Sequence, residues 1–204
     1  MLFVKPPKLL RKFYPSIVWS KKTDKKEVWL TFDDGPTPES TTHILHVLKK
    51  QKIKATFFLV GEEIQKYPEL FEDIKTEGHT IGNHSYSHIN GWKTKTRNYI
   101  DDIKKCNRLM PNNILFRPPY GKLTFSQIKK IKKNYKIILW DILTQDYKEK
   151  ISSEKIKENV LKNITNGAII VFHNNNKSYK KLYTNLEDII INIKLKGYSF
   201  STIW

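Results

Sequence analysis

Three clusters of side chains in this 204-residue chain could do chemistry together. The first is Thr31-Phe32-Asp33-Asp34-Gly35-Pro36, in which two adjacent carboxylates run into a Gly-Pro turn. Asp-Gly-Pro alone is a common solvated turn, so the pair gains meaning only from its company. The second is Gly82-Asn83-His84-Ser85-Tyr86-Ser87-His88. Histidines four apart share a face if the segment is helical, and both imidazoles can then reach one ion. Joined to one aspartate of the first cluster, they make a two-His, one-carboxylate set with positions left for water, as catalytic zinc sites require. The same set suits ferrous iron in oxygenases, so the ligands alone do not choose the reaction. The third cluster is Phe116-Arg117-Pro118-Pro119-Tyr120-Gly121. Its prolines and glycine fix an irregular loop that can free a backbone N–H, such as that of Tyr120, while Arg117 can pair with an aspartate.

Two more groups follow, Trp140-Asp141 with Asp146-Tyr147 close behind, and His173 after the apolar run Ile169-Ile170-Val171-Phe172. A lone histidine after such a run is more often a satisfied core residue than an acid. What matters is where all five groups fall. Hydrophobic patterning predicts strands over 28–32, 55–60, 78–82, 114–117, 136–140, 168–172 and 198–202. Helical spacing covers 40–51, 68–76, 94–110, 126–133, 154–164 and 182–195. Strand and helix alternating about seven times predicts parallel strands joined by helices. An open nucleotide-binding sheet would carry a glycine-rich loop after the first strand, whereas here that strand ends in aspartates. A barrel is therefore the expected α/β layout, with every polar cluster at the C-terminal strand ends where barrel active sites form.

Bulk properties bound the reading. The length suits one domain, and 39% hydrophobic with 12% aromatic residues fits a globular chain. The formal charge is +17, yet only four of the 37 basic residues are arginines: Arg11, Arg97, Arg108 and Arg117. Lysine, isoleucine and asparagine, as in Asn174-Asn175-Asn176, share adenine/thymine-rich codons, and codon bias is the plainer source of the excess. Arginine, the better reader of bases and phosphates, is scarce, so no nucleic-acid partner is expected. The single Cys106 excludes an internal disulfide. Residues 1–22 read as a basic N-terminal arm packing on or near a domain of residues 23–204, able to touch an anionic membrane or polymer weakly. The uncharged run of residues 14–20 is too short for a signal-peptide core, and nothing reaches the length of a membrane span. A cytoplasmic location is the default expectation, with association to the cell envelope left open.

TFDDGP, HSYSH and RPPYG in this order resemble the polysaccharide deacetylases of carbohydrate esterase family 4, the NodB-homology domain, from about residue 28 to the C-terminus. The resemblance implies a distorted (β/α) barrel of about seven parallel strands in a single domain. It implies a hydrolase acting on carbon–nitrogen bonds other than peptide bonds, which removes acetyl groups from an N-acetylated glycan. Asp34, His84 and His88 would hold one divalent metal ion, with zinc expected. Asp33 would be the general base, Arg117 would orient it, and the Tyr120 N–H would help hold the oxyanion. His173 would protonate the departing amine with Asp146 supporting it. Pro119, Trp140, Tyr147 and Val171 would line the substrate groove. The family often has Asp-x-x-Asp-Trp where this chain reads Leu143-Thr144-Gln145-Asp146-Tyr147, and often an aspartate where Asn174 follows His173. Both departures bear on substrate choice, which stays open among peptidoglycan, chitooligosaccharide and related N-acetylhexosamine polymers. A monomer is expected. The competing reading is a basic glycan- or nucleic-acid-binding protein on the same scaffold with a vestigial site.

Overall fold

The apolar runs form parallel strands and the amphipathic runs form the helices between them, in a computed structural model that describes residues 3–204 apart from the Lys8 side chain. After α1 (Lys8–Phe13) and a two-residue β1 (Ile17–Val18), the chain enters the longest strand, β2 (Glu27–Asp34). Helix α2 (Pro38–Lys50) leads to β3 (Thr56–Leu59), then α3 (Gly61–Lys66) and α4 (Pro68–Thr76) lead to β4 (Thr80–Asn83). The next units are α5 (Thr96–Asn107) with β5 (Leu115–Phe116), and α6 (Phe125–Ile131) with β6 (Lys136–Ile138) and β7 (Ile142–Leu143). The chain ends with α7 (Ser153–Leu161), β8 (Ile169–His173), α8 (Asn176–Leu195) and β9 (Ser199–Phe200).

The strands lie in the order β1-β6-β5-β4-β3-β2-β8-β7, with β9 pairing the start of β2, and every ladder is parallel. This is the expected distorted (β/α) barrel in one domain, with nine short strands where about seven were expected. The seam explains the extra two. The apolar run 136–140 reads as one strand, but it leaves the sheet after Ile138, and Ile142–Leu143 joins β8 on the other side. The N-terminal segment fills the gap left there. Ile17 and Val18 pair with Ile137 and Ile138, Ser20 bridges to Ala168, and the Leu143 N–H donates to the Val4 carbonyl at 2.8 Å. Arg11 and Lys5 pair with the buried carboxylate of Asp141, the nearest counter-charge to this otherwise basic segment. Helices α1 and α3 carry no pattern long enough to read from sequence, and α8 begins six residues before the predicted 182. No helix among the described residues is long and apolar enough to cross a membrane.

Strand alternation divides the core into two layers. Val28, Leu30 and Phe32 face outward, packing with Ile44 and Leu48 of α2 and Ile189 and Ile193 of α8. Trp29 faces the barrel interior with Phe58, Leu115, Ile138 and Ile169, and Thr31 and Asp33 share its parity. Phe32 is fully buried between Phe57 and Phe172, at centroid distances of 5.2 and 5.9 Å. Phe32→Ala should therefore cost about 3–5 kcal/mol in urea unfolding, the usual loss for an emptied aromatic site. A loss below about 1 kcal/mol would show that this layer does not fix the strand carrying the aspartates.

Candidate functional site

Parallel register brings the clusters to one rim. Asp34 pairs with Leu59, Leu59 with Asn83, and Asn83 with Phe116, so His84 and Arg117 emerge one residue beyond a common level. On the other side of β2, Asp33 pairs with His173. In a regular strand, consecutive carboxylates would point to opposite faces. Here Asp34 has φ 82° and leaves the strand in the left-handed region, so both acids serve the same site. Of the seven non-glycine residues with positive φ among those described, five lie in these loops: Asp34, Ser85, His88, Tyr120 and Gln145. Such backbone is costly and persists where its surroundings over-determine it.

The two histidines converge without a helix. His84 follows the last residue of β4, and the chain then turns through Ser85 (φ 65°) to His88 (φ 51°), so a loop replaces the helical i, i+4 geometry expected from the spacing. Asp102 of α5 pins that loop, accepting from the Tyr86 N–H (2.8 Å), the Ser87 N–H (3.2 Å) and the Ser87 hydroxyl (2.6 Å). The Nε2 atoms of His84 and His88 lie 3.5 and 3.2 Å from Asp34 Oδ1, and one ligand atom from each of the three residues falls within 4.8 Å of the others. His84 Nδ1 sits 2.8 Å from the Arg117 carbonyl. A carbonyl only accepts, so Nδ1 carries the proton and Nε2 is left with its lone pair, as a metal ligand needs. Asp34 Oδ2 accepts from the Asn175 side chain at 2.5 Å, which orients the other oxygen toward the histidines. Burial alone would raise the Asp34 carboxyl, but the neighbouring side chains of His84 and His88, with the charge of His173, outweigh it and hold the group well below the usual carboxylate range. Two imidazoles and an ionised carboxylate are a donor set that fits a divalent ion.

Asp33 meets a different partner. Arg117 is completely buried, and its guanidinium donates to Asp33 Oδ1 (2.6 Å) and Thr31 Oγ1 (2.7 Å). The Leu139 and Ile138 carbonyls accept from its remaining edge at 3.1 and 3.4 Å, and Phe58 lies 4.0 Å beneath its plane. Burial lowers the guanidinium from its ordinary value, opposed by the charge and hydrogen bond of Asp33.

Across the site, Asp146 is fully buried and holds His173 by two bonds, accepting from its backbone N–H (2.8 Å) and Nδ1 (2.7 Å). The Thr144 hydroxyl donates to Asp146 Oδ1 at 2.9 Å. Burial works against a charged His173, yet the charge and hydrogen bond of Asp146, helped by Asp34 and Asp33, raise it to about 9. His173 is therefore cationic at neutral pH.

The remaining expected residues divide by exposure. Tyr120 is 49% exposed and sets its ring 4.7 Å from His88, while its N–H makes no hydrogen bond among the described residues. Tyr147 is half-buried with its ring edge-on to His173 at 4.7 Å, and Pro119 is buried at the start of the same turn as Tyr120. Trp140 and Val171 do not face an open groove. Trp140 is buried against Gly121, where an added Cβ would lie 2.5 Å from its ring, and Val171 is fully buried with its carbonyl accepting from the Thr144 N–H at 3.2 Å. They support the groove from beneath. Four residues have surroundings that the sequence did not reveal. Asp102 fixes the loop that leads to His88, and Asn175 fixes the Asp34 carboxylate. Asn174 fixes the turn after Asp34, and Gly35 packs so closely on it that a Cβ would lie 2.1 Å from its amide. Trp92 is 64% exposed in the loop that follows His88, with Lys122 5.2 Å from its ring.

Comparison with known proteins agrees with this geometry. A family model described as polysaccharide deacetylase matches residues 20–137. Two peptidoglycan-N-acetylglucosamine deacetylases of Bacillus cereus are 39% and 33% identical, over 88% and 92% of this chain and 68% and 91% of theirs. The crystal structure of the Bc1960 peptidoglycan N-acetylglucosamine deacetylase superposes with a TM-score of 0.86 at 38% identity, covering 97% of this chain and 95% of that one. A pseudoenzyme of the family from Bacillus anthracis also superposes, with a TM-score of 0.82 at 27% identity over 91% of this chain and 66% of its own. The shared scaffold thus tolerates loss of activity, and the residues at the rim carry the functional argument. By its family model, its relatives and its fold, the chain belongs to the polysaccharide deacetylase family, as a hydrolase that removes acetyl groups from N-acetylated glycans.

Proposed function

We propose that this enzyme removes the acetyl group from N-acetylglucosamine units of peptidoglycan, with zinc held by Asp34, His84 and His88. The observation that carries the mechanism is the division of two neighbouring aspartates between different partners. Asp34 is turned to the histidines, while Asp33 is held by Arg117 and stays available as a base. Asp34, His84 and His88 would hold the ion, which would supply Lewis acidity toward the acetamide carbonyl and a water molecule. Asp33 takes the proton of the attacking water, and Arg117 keeps that carboxylate in one orientation. The Tyr120 N–H, with no partner of its own, donates to the oxyanion as the carbonyl carbon becomes tetrahedral. His173, protonated because Asp146 holds its other nitrogen, gives its proton to the sugar nitrogen as the C–N bond breaks. The products are acetate and a free amine.

Support for peptidoglycan comes from the relatives' substrate and from the exposed aromatic rings of Tyr120 and Trp92, which offer faces on which sugar rings can stack. An iron oxygenase would use the same three ligands but would leave Asp33, Arg117 and His173 without tasks. A vestigial binding protein would have no reason to keep all six. A peptidoglycan substrate also places the enzyme's work at the cell envelope.

Acetate release from peptidoglycan fragments, measured with and without chelator, tests the reading. Zinc-loaded protein should be active and chelated protein inactive. Asp33→Asn should lower kcat by about 10²–10⁴-fold with little change in KM, the range for losing a general base. No acetate from peptidoglycan or chitooligosaccharides would overturn the assignment. The His173 imidazole followed by NMR should titrate near 9. Because that value is raised above the ordinary 6.5, the ion pair stabilises the fold fully below pH 6.5, and this is lost as pH rises through about 9. The alkaline limb of kcat should fall with the same titration. In Asp146→Asn, burial is left unopposed by that partner and the midpoint should drop. An unchanged midpoint would remove Asp146 from this role.

A further inference from the structure

The charge of this chain is not spread evenly. Residues 1–23 and 103–140 hold 16 of the 37 basic residues and not one aspartate or glutamate. Codon bias enriches lysine everywhere, but it does not clear acids from two separate stretches. The fold brings these stretches together: β1 pairs β6, and Tyr14 stacks on Phe125 at 5.3 Å with an interplanar angle of 15°. Between them lies a shallow concavity of about 390 Å³, lined by Phe13, Phe125, Ile128, Lys129, Lys132 and Lys133 among others.

The surface of this region is apolar as well as cationic. Phe3, Leu9, Phe13 and Phe125 are 62–70% exposed, and Leu9 and Phe13 lie four apart on α1, so they share one face. Around them, Lys12, Lys129, Lys130, Lys132 and Lys133 are exposed and make no ion pair among the described residues. Lysines elsewhere do find acids, as in Lys50–Glu187 and Lys157–Asp188. The pairing of Arg11 and Lys5 with Asp141 ties this segment down, so α1 is held against the barrel with its apolar side chains outward.

We propose that the face formed by α1 and α6 docks on an anionic lipid membrane. Large apolar side chains ringed by unpaired lysines are the composition that enters the boundary between headgroups and acyl chains. A second copy of the chain is a poor occupant, because it would set unpaired lysines against unpaired lysines. A nucleic acid would engage the lysines but leave the leucine and phenylalanines in water. The docking does not depend on which glycan is cut.

Co-sedimentation of the whole protein with vesicles tests this. The protein should pellet with vesicles of equal phosphatidylcholine and phosphatidylglycerol and not with phosphatidylcholine alone. Both the double variant Phe13→Gln, Phe125→Gln and the triple variant Lys129→Gln, Lys132→Gln, Lys133→Gln should bind at least about tenfold more weakly. Acetate release from soluble oligomers should be unchanged in both, since none of the five residues touches the site. Absence of binding to the anionic vesicles would overturn the proposal. So would full binding by the phenylalanine variant, which would mark a general attraction to any polyanion.

Discussion

A guanidinium cut off from water survives in a protein core only when its charge and its N–H groups are matched, and the site of this enzyme is arranged around that demand. Arg117 meets it with Asp33, Thr31 and the carbonyls of Ile138 and Leu139, so one side chain ties together the ends of β2, β5 and β6. Its own carbonyl accepts from His84 and thereby sets the histidine tautomer. Asp33 is thus anchored in the barrel interior, and the carboxylate that turns to the two histidines is that of its neighbour, Asp34. The left-handed backbone of Asp34 is the local cost of that division. Asn175, Asp102 and Asn174 are where the surrounding fold holds the strained loops in place.

Much of this was legible in the sequence because the chemistry is concentrated at strand ends. TFDDGP, HSYSH and RPPYG carry their chemistry within a few residues of a strong apolar run, and parallel register does the rest. The convergence of His84 and His88 was expected for a different geometric reason, since a helix and a tight left-handed loop can both align residues four apart. What the sequence hid was long-range. Nothing near residue 102 says that its carboxylate will pin a loop at 86–87. The asparagines at 174–176 look like compositional bias, yet Asn174 and Asn175 hold the Gly35 turn and the Asp34 carboxylate. Short strands were hidden for a related reason. A two-residue strand such as β1 has no period to detect, and the break after Ile138 depends on which neighbours the chain finds.

The same seam links catalysis to the basic N-terminal segment. Residues 139–141 cross from one edge of the barrel to the other, and the carbonyl that caps Arg117 belongs to Leu139. Asp141, two residues on, anchors Lys5 and Arg11. The structure that holds Arg117 and Asp33 thus also fixes α1 on the barrel, with its apolar face turned outward beside the lysines of α6.

The proposed mechanism requires different partners for Asp33 and Asp34. Calorimetric titration of metal-free protein with zinc, comparing Asp33→Asn with Asp34→Asn, tests this directly. Asp33→Asn should bind one equivalent with an affinity close to that of the unaltered protein, and Asp34→Asn should lose most of it. Equal loss in both variants, or loss in Asp33→Asn alone, would contradict the assignment of one aspartate to the ion and the other to the water.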